Sequence, residues 1–264
     1  MKHPRWLGVP AAGVLAAAGV LSVAAAPFVS AAPAVTSGGV ALHVHGVTSG
    51  NWSGYADTQQ SNPYTFVQAT WTEPSYKCDG KSPESSAIWV GLDGYFGSNT
   101  VEQGGTIAIC NGKKQGKHMA WWEMYPTNSV QEVFQVKAGD FIFASVTYKA
   151  GSNKPYNIFV WDETSDVSLN MNEACGAVPC IRSSAEWIVE SPSFGGTVAF
   201  LPKFAPIAFG SGLASEGANG TPATSIASFP YAAITMTGSH GNRAKPSALT
   251  SSGEGFTDKW ISSS

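Results

Sequence analysis

Three side chains in this 264-residue chain have the types and settings for water-mediated hydrolysis. Gln103 lies in Val101-Glu-Gln-Gly-Gly105, Glu123 in Ala120-Trp-Trp-Glu-Met-Tyr-Pro126, and Glu190 closes Ala185-Glu-Trp-Ile-Val-Glu190. An ionised glutamate can take a proton from water, and a primary amide donates and accepts hydrogen bonds without titrating. Facing one water, such a pair can hydrolyse a peptide bond without serine, cysteine or metal. The commoner machinery is missing from the sequence. There is no Gly-x-Ser-x-Gly elbow and no His-Glu-x-x-His. No Asp-Thr-Gly or Asp-Ser-Gly occurs, since Asp57-Thr58 is followed by Gln59. In the body of the chain the histidines are His118 and His240, which leaves a Ser-His-Asp triad few possible bases. His43 and His45 have no third ligand nearby, so no metal site is expected. Phosphate-binding Gly-rich loops are absent as well, and the reading needs no cofactor.

These residues must be positioned by strands. Phe66–Trp71, Ala87–Gly91, Met119–Tyr125, Phe141–Tyr148, Tyr156–Trp161, Ala185–Glu190, Thr197–Phe200 and Ala232–Thr237 are rich in β-branched and aromatic residues. Gly, Pro and Asn turn signals separate them, and no segment keeps a helical period. The pattern predicts a single all-β domain over 51–264, an antiparallel sandwich or jelly roll with a concave face. Gly210 to Thr224 reads as a mobile surface loop. Alternation puts Trp121, Glu123 and Tyr125 on one strand face and Trp122 and Met124 on the other. The same parity groups Glu186, Ile188 and Glu190. Spacing alone favours two solvated glutamates on an exposed face; if that face is instead covered, at least one of them lines a cleft.

The first residues point to export. Lys2 and Arg5 precede an uncharged apolar run, Leu7 to Pro27, and the small residues Ser30-Ala31-Ala32 follow. Residues 1–32 read as a secretory signal peptide, with a membrane anchor as the alternative, and cleavage is expected between Ala26 and Val35. Residues 33–50 read as a flexible leader or short pro-segment. With Lys2 and Arg5 removed, the formal charge moves from −3 to −5. That argues against nucleic acid as a partner, which would require a basic face. Charged residues are 12% of the chain, so the surface gains little positive charge in acid; acid tolerance is one expectation, and an ordinary secreted β protein with an uncharged surface is the other. Four cysteines in an exported chain suggest two disulfides. Cys175 and Cys180 enclose a short loop that suits a local bridge, which leaves Cys78 with Cys110. The expected protein is a secreted monomer, free of the membrane after cleavage.

The runs Asn51-Trp-Ser-Gly-Tyr55, Thr70-Trp-Thr-Glu-Pro74, Ile88-Trp-Val-Gly-Leu-Asp-Gly94, Gln103 with its glycine, Trp121-x-Glu-x-Tyr-Pro126 and Ala185-Glu-Trp-Ile-Val-Glu190 occur in one order. Together they resemble the glutamic peptidases of the eqolisin family. The resemblance implies a sandwich of two bent antiparallel sheets and a secreted endopeptidase that acts on polypeptides at acidic pH. It puts the catalytic pair on Gln103 and Glu190, with Glu186 as the fallback, and the substrate cleft on Trp89, Trp121, Glu123 and Tyr125. It departs from fungal members in the short stretch before Asn51 and in the polar lead-in to Gln103. Glu102 should face away from the site. Two other classes compete. A jelly-roll glycoside hydrolase would use Glu123 and Glu190, with aromatic residues stacking sugars. A carbohydrate-binding sandwich would use no catalytic group.

Overall fold

The computed structural model describes residues 44–58, 62–95 and 98–264. The expected signal peptide and residues 33–43 of the leader lie outside these. The β-branched and aromatic runs form strands, and much of the remainder does too. In order they are β1 (Val44–Ser49), β2 (Trp52–Thr58), β3 (Tyr64–Thr72), β4 (Tyr76–Lys77), β5 (Ser85–Leu92), β6 (Val101–Asn111) and β7 (Lys114–Tyr125). There follow β8 (Asn128–Gln135), β9 (Phe141–Tyr148), β10 (Tyr156–Asp162), β11 (Val167–Glu173), β12 (Ser184–Glu190), β13 (Ser193–Phe194) and β14 (Thr197–Val198). The last are β15 (Lys203–Phe204), β16 (Ile207–Glu216), β17 (Thr224–Ser225), β18 (Tyr231–Gly238), β19 (Gly241–Pro246) and β20 (Phe256–Trp260).

The main ladder runs β11-β10-β9-β3-β16-β20-β19-β18-β2-β12-β5-β6-β7-β8. It folds back on itself, so that β5 and β6 pack across β3, β9 and β10. Two antiparallel layers result, as expected for a sandwich. Between them lies an apolar core in which Ile88, Val90, Trp122, Met124 and Trp187 of one layer meet Val67, Ile142, Val146, Ile158 and Val160 of the other. A second apolar cluster, with Trp52, Trp89, Trp121 and Ile188, covers the opposite face of the β2-β12-β5-β6-β7 layer. Both faces of that layer are therefore buried.

Three expectations change. Residues 44–49 of the presumed flexible leader form β1, which pairs in parallel with β18 and sends Val47 into the second cluster. Half of the presumed loop Gly210 to Thr224 belongs to β16, held between β3 and β20. Its small residues answer to crowding, since a Cβ on Gly212 would lie 2.8 Å from Glu254 O and from Ile226 Cδ1. Thr197–Phe200 shrinks to the two residues of β14. The cysteines pair as Cys78–Cys110 and Cys175–Cys180, with Cα–Cα distances of 5.8 and 6.0 Å.

Candidate active site

The antiparallel ladders place the candidate residues row by row. Glu123 of β7 stands opposite Gln103 of β6, Gln103 opposite Gly91 of β5, and Gly91 opposite Glu186 of β12. In the next row of the same face Trp121, Gly105, Trp89 and Ile188 are aligned. Glu190 lies one row further, between Ala87 and Trp52. Directly opposed residues share a face, so all of these project to one side, together with Tyr125. Glu102 is opposite Leu92 and Met124 and points into the interlayer core, away from the site.

The glycines around Gln103 make this arrangement possible. A Cβ on Gly91 would lie 2.9 Å from Trp89 Cζ3 and 3.2 Å from Gln103 Cβ. One on Gly105 would lie 1.9 Å from Ile88 O. Bare backbone at Gly91 leaves room for the Trp89 ring and the Gln103 side chain, and at Gly105 it lets β5 and β6 approach closely. Gly104 faces the other way, where a Cβ would meet Ile158 Cγ2 at 2.6 Å, and so lets the second layer approach.

Gln103 Nε2 donates to Glu123 Oε2 at 2.7 Å. Glu190 accepts from Trp89 Nε1 at 2.9 Å and from Asn51 Nδ2 at 3.2 Å. Glu123 and Glu190 are fully buried, and Gln103 is 2% exposed. The spacing argument had favoured solvated glutamates at 186 and 190. The covering of this face by the second cluster overturns that. Burial pushes Glu190 up to about 8, against the stabilising pull of Trp89, Trp52 and Asn51. The Trp52 indole lies close enough to contribute, but its Nε1 makes no hydrogen bond of normal geometry. Glu123 is also raised well above the usual carboxyl range, first by burial and then by the charge of Glu190, while Gln103 opposes the rise. Glu123, Gln103 and Glu190 thus share one electrostatic neighbourhood.

Glu186 lies in another. Its carboxyl is fully buried, neither oxygen makes a hydrogen bond of normal geometry among the described residues, although Ser184 lies close enough to favour the ionised form, and the charges it meets are Asp93, Glu102 and Asp57. The remaining expected residues are Trp89 and Trp121, both buried, and Tyr125, half-buried at the end of β7. His118 is tied to Glu73 at 2.5 Å on the interlayer side, and Glu73 also accepts from Trp71 Nε1 and Thr106 Oγ1. That histidine serves the core. The two clusters of possible metal ligands among the described residues both rely on disulfide sulfurs.

Asn51 is the site residue for which the sequence assigned no role. It appeared only inside a matched run, and its side chain is fully buried against Glu190. Nothing in local spacing signals a contact across 139 residues.

The sequence matches the profile of the Peptidase A4 family over residues 50–256. No curated protein matches it. Among solved structures, scytalido-glutamic peptidase with a peptide-based transition-state analogue superposes with a TM-score of 0.66 at 21% identity, covering 80% of this chain and 98% of that one. SCP-B, an eqolisin in complex with the tripeptide Ala-Ile-His, gives 0.63 at 20% identity, with 80% and 98% covered. Aspergilloglutamic peptidase from Aspergillus niger gives 0.56 at 20% identity, with 67% and 99% covered.

Proposed function

The chain belongs to the Peptidase A4 family and is a glutamic peptidase, and we propose that it is a secreted endopeptidase that cuts polypeptides at acidic pH through Gln103 and Glu190. Membership removes the glycosidase and lectin alternatives. The observation that carries the assignment is the shared neighbourhood of Gln103, Glu123 and Glu190 on one buried face, apart from Glu186.

Glu190 and Gln103 hold one water between them. Ionised Glu190 takes its proton as the oxygen attacks the scissile carbonyl. The Gln103 amide donates to the developing oxyanion, a role that typically supplies about 2.7–4 kcal/mol. Protonated Glu190 then passes its proton to the leaving nitrogen. Glu123 holds the Gln103 amide in place through the 2.7 Å bond and, while neutral, adds no charge against the oxyanion. Trp89, Trp121, Glu123 and Tyr125 line the face along which the polypeptide binds. Because the pair is closed to solvent, substrate must uncover this face before reaction.

The direct test is proteolysis of denatured protein at pH 3–4. Gln103→Ala should lower kcat by about 100- to 1,000-fold, the usual cost of one lost oxyanion donor. Glu190→Gln should abolish activity with the thermal transition retained. Near-normal turnover in Glu190→Gln would sink the assignment, and loss of activity in Glu186→Gln alone would transfer the role to Glu186.

A further inference from the structure

Both oxygens of Glu190 accept from donors whose orientation is already set. Trp89 Nε1 can only donate, and it lies 2.9 Å from Oε2. Asn51 Nδ2 lies 3.2 Å from Oε1. The direction of that amide is decided by Ser49, whose hydroxyl donates to Asn51 Oδ1 at 3.2 Å. Ser49 Oγ in turn accepts the backbone N–H groups of Asn51 and Trp52 at 3.3 and 3.1 Å. With its oxygen occupied, the Asn51 amide presents its NH₂ to Glu190.

The segments that carry this contact are tied together from behind. Arg243 of β19 is 4% exposed and hydrogen-bonds to no carboxylate among the described residues. Its Nη1 donates to Gly50 O at 3.2 Å. Its Nη2 donates to Ser191 Oγ at 3.0 Å, Ala199 O at 2.7 Å and Ser263 O at 3.1 Å. Gly50 and Ser191 are the chain neighbours of Asn51 and Glu190, and Ser191 N donates to Asn51 O at 2.8 Å. A buried guanidinium without an anion is costly, and here its hydrogen bonds go to the junction that brings residue 51 to residue 190. Burial lowers it only to about 10, so it stays charged wherever a carboxyl titrates. Among the charged groups around Glu190, Glu123 on β7 shares its field, while Arg243 on β19 reaches it through Gly50 and Ser191.

We propose that Ser49, Asn51 and Arg243 form a positioning unit for Glu190: Asn51 directs one oxygen of the carboxyl, and Arg243 locks the two chain segments that carry the pair. The lone pairs not engaged by Asn51 and Trp89 are thereby left for the water shared with Gln103. The proposal rests on Glu190 being the catalytic glutamate.

The experiment measures kcat, KM and pH profiles for Asn51→Ala, Asn51→Asp, Ser49→Ala and Arg243→Lys, with Glu190→Gln alongside. Asn51→Ala should lower kcat about 10- to 100-fold, the range for one hydrogen bond to a charged group, with KM within about twofold. The acid limb of its kcat profile should move up by about one pH unit, because a lost donor disfavours the carboxylate. Asn51→Asp can donate only while its own carboxyl is protonated, so it should regain activity at the acid end and lose it as pH rises. Ser49→Ala, which keeps the amide and the buried cation, should give a smaller shift in the same direction and serves if Asn51→Ala does not fold. Arg243→Lys keeps the charge and loses the fork, and should lower kcat with KM unchanged; undiminished kcat overturns its part. Asn51→Ala or Ser49→Ala profiles that superpose on the wild type, with Glu190→Gln inactive, overturn the positioning role. So does an Asn51→Asp profile of the same shape as that of Asn51→Ala. An active Glu190→Gln instead overturns the catalytic assignment, which distinguishes the two failures.

Discussion

At the scale of single residues, the proposed acid optimum and the burial of Glu190 pull against each other. A carboxyl held at about 8 in the closed site carries a proton at pH 4 and cannot take one from water. Substrate changes that balance. A bound water that donates to Glu190 restores part of its lost solvation and favours the ionised form. The kcat/KM profile reports the free enzyme and kcat the complex, so the acid limb of kcat should lie several pH units below that of kcat/KM. On the proposed mechanism the alkaline limb belongs to Glu123. When it ionises it adds a negative charge beside Glu190 and holds Gln103 Nε2 more tightly, away from the oxyanion. Glu123→Gln should therefore leave the acid limb of kcat in place and flatten the alkaline one, at a cost of about tenfold in kcat. An unchanged alkaline limb would show that another group controls it. A kcat maximum at pH 7–8 would mean that Glu190 keeps its closed-site value in the complex, and the acid reading would fall.

At the scale of elements, the sequence was legible where side chains are β-branched or aromatic and illegible where glycine takes over. The seven runs that map onto β3, β5, β7, β9, β10, β12 and β18 were found from composition alone. The parity of β7 and β12 correctly gathered Trp121, Glu123 and Tyr125, and Glu186 with Glu190. The strand that carries Gln103 was not seen as one. Glu102, Gln103, Gly104 and Gly105 have low strand propensity, and β6 exists because β5 and β7 flank it on both sides. For the same reason β16 passed for a loop. The contact of Asn51 with Glu190 comes from the pairing of β2 with β12, a tertiary choice that local pattern does not encode. Gly91 tests this view of β5 and β6. An alanine there must push against the Trp89 ring at 2.9 Å, Glu102 O at 3.1 Å and Gln103 Cβ at 3.2 Å. A displacement of the reacting groups by even about 1 Å can cost on the order of 100-fold. Gly91→Ala should thus reduce kcat/KM by about 10- to 100-fold while the far-ultraviolet circular dichroism stays that of the wild type. Wild-type kcat/KM would show that the site tolerates a methyl group at this position and that the packing against Gly91 does not set the position of Gln103.

At the scale of the whole molecule, the unusual feature is how many acids this lightly charged chain buries. Asp57, Glu102, Glu123, Glu186, Glu190 and Asp258 all lie in surroundings that raise them, in each case first by burial. Glu190 rises from 4.5 to about 8 and Asp258 from 3.8 to about 7. A carboxyl raised in the folded state binds more protons there than in the unfolded chain between the two values. Stability then falls as pH rises through that window, and it is fully present below the unfolded value. At 1.36 kcal/mol per pH unit, Glu190 alone contributes on the order of 5 kcal/mol that is lost between pH 4.5 and about 8. That is comparable to the whole stability of a typical domain. The proposed site chemistry and the fold thus favour the same conditions: in acid the core acids are neutral, and near neutrality they are driven to ionise in buried surroundings that solvate the charge poorly. Thermal melts across pH 4 to 8 should show Tm highest at the acid end and falling steadily toward pH 8. Glu102 offers the cleaner handle, since it points into the interlayer core away from Gln103, and although Thr100 and Asp93 lie near it neither of its oxygens makes a hydrogen bond of normal geometry among the described residues. Glu102→Gln should reduce the slope of Tm against pH with peptidase activity at pH 4 retained, because an amide of nearly the same shape has no proton to lose. A Tm that climbs from pH 4 to 8, or a slope untouched by that substitution, would show that these acids find partners or water on ionising and that acid stability has another source.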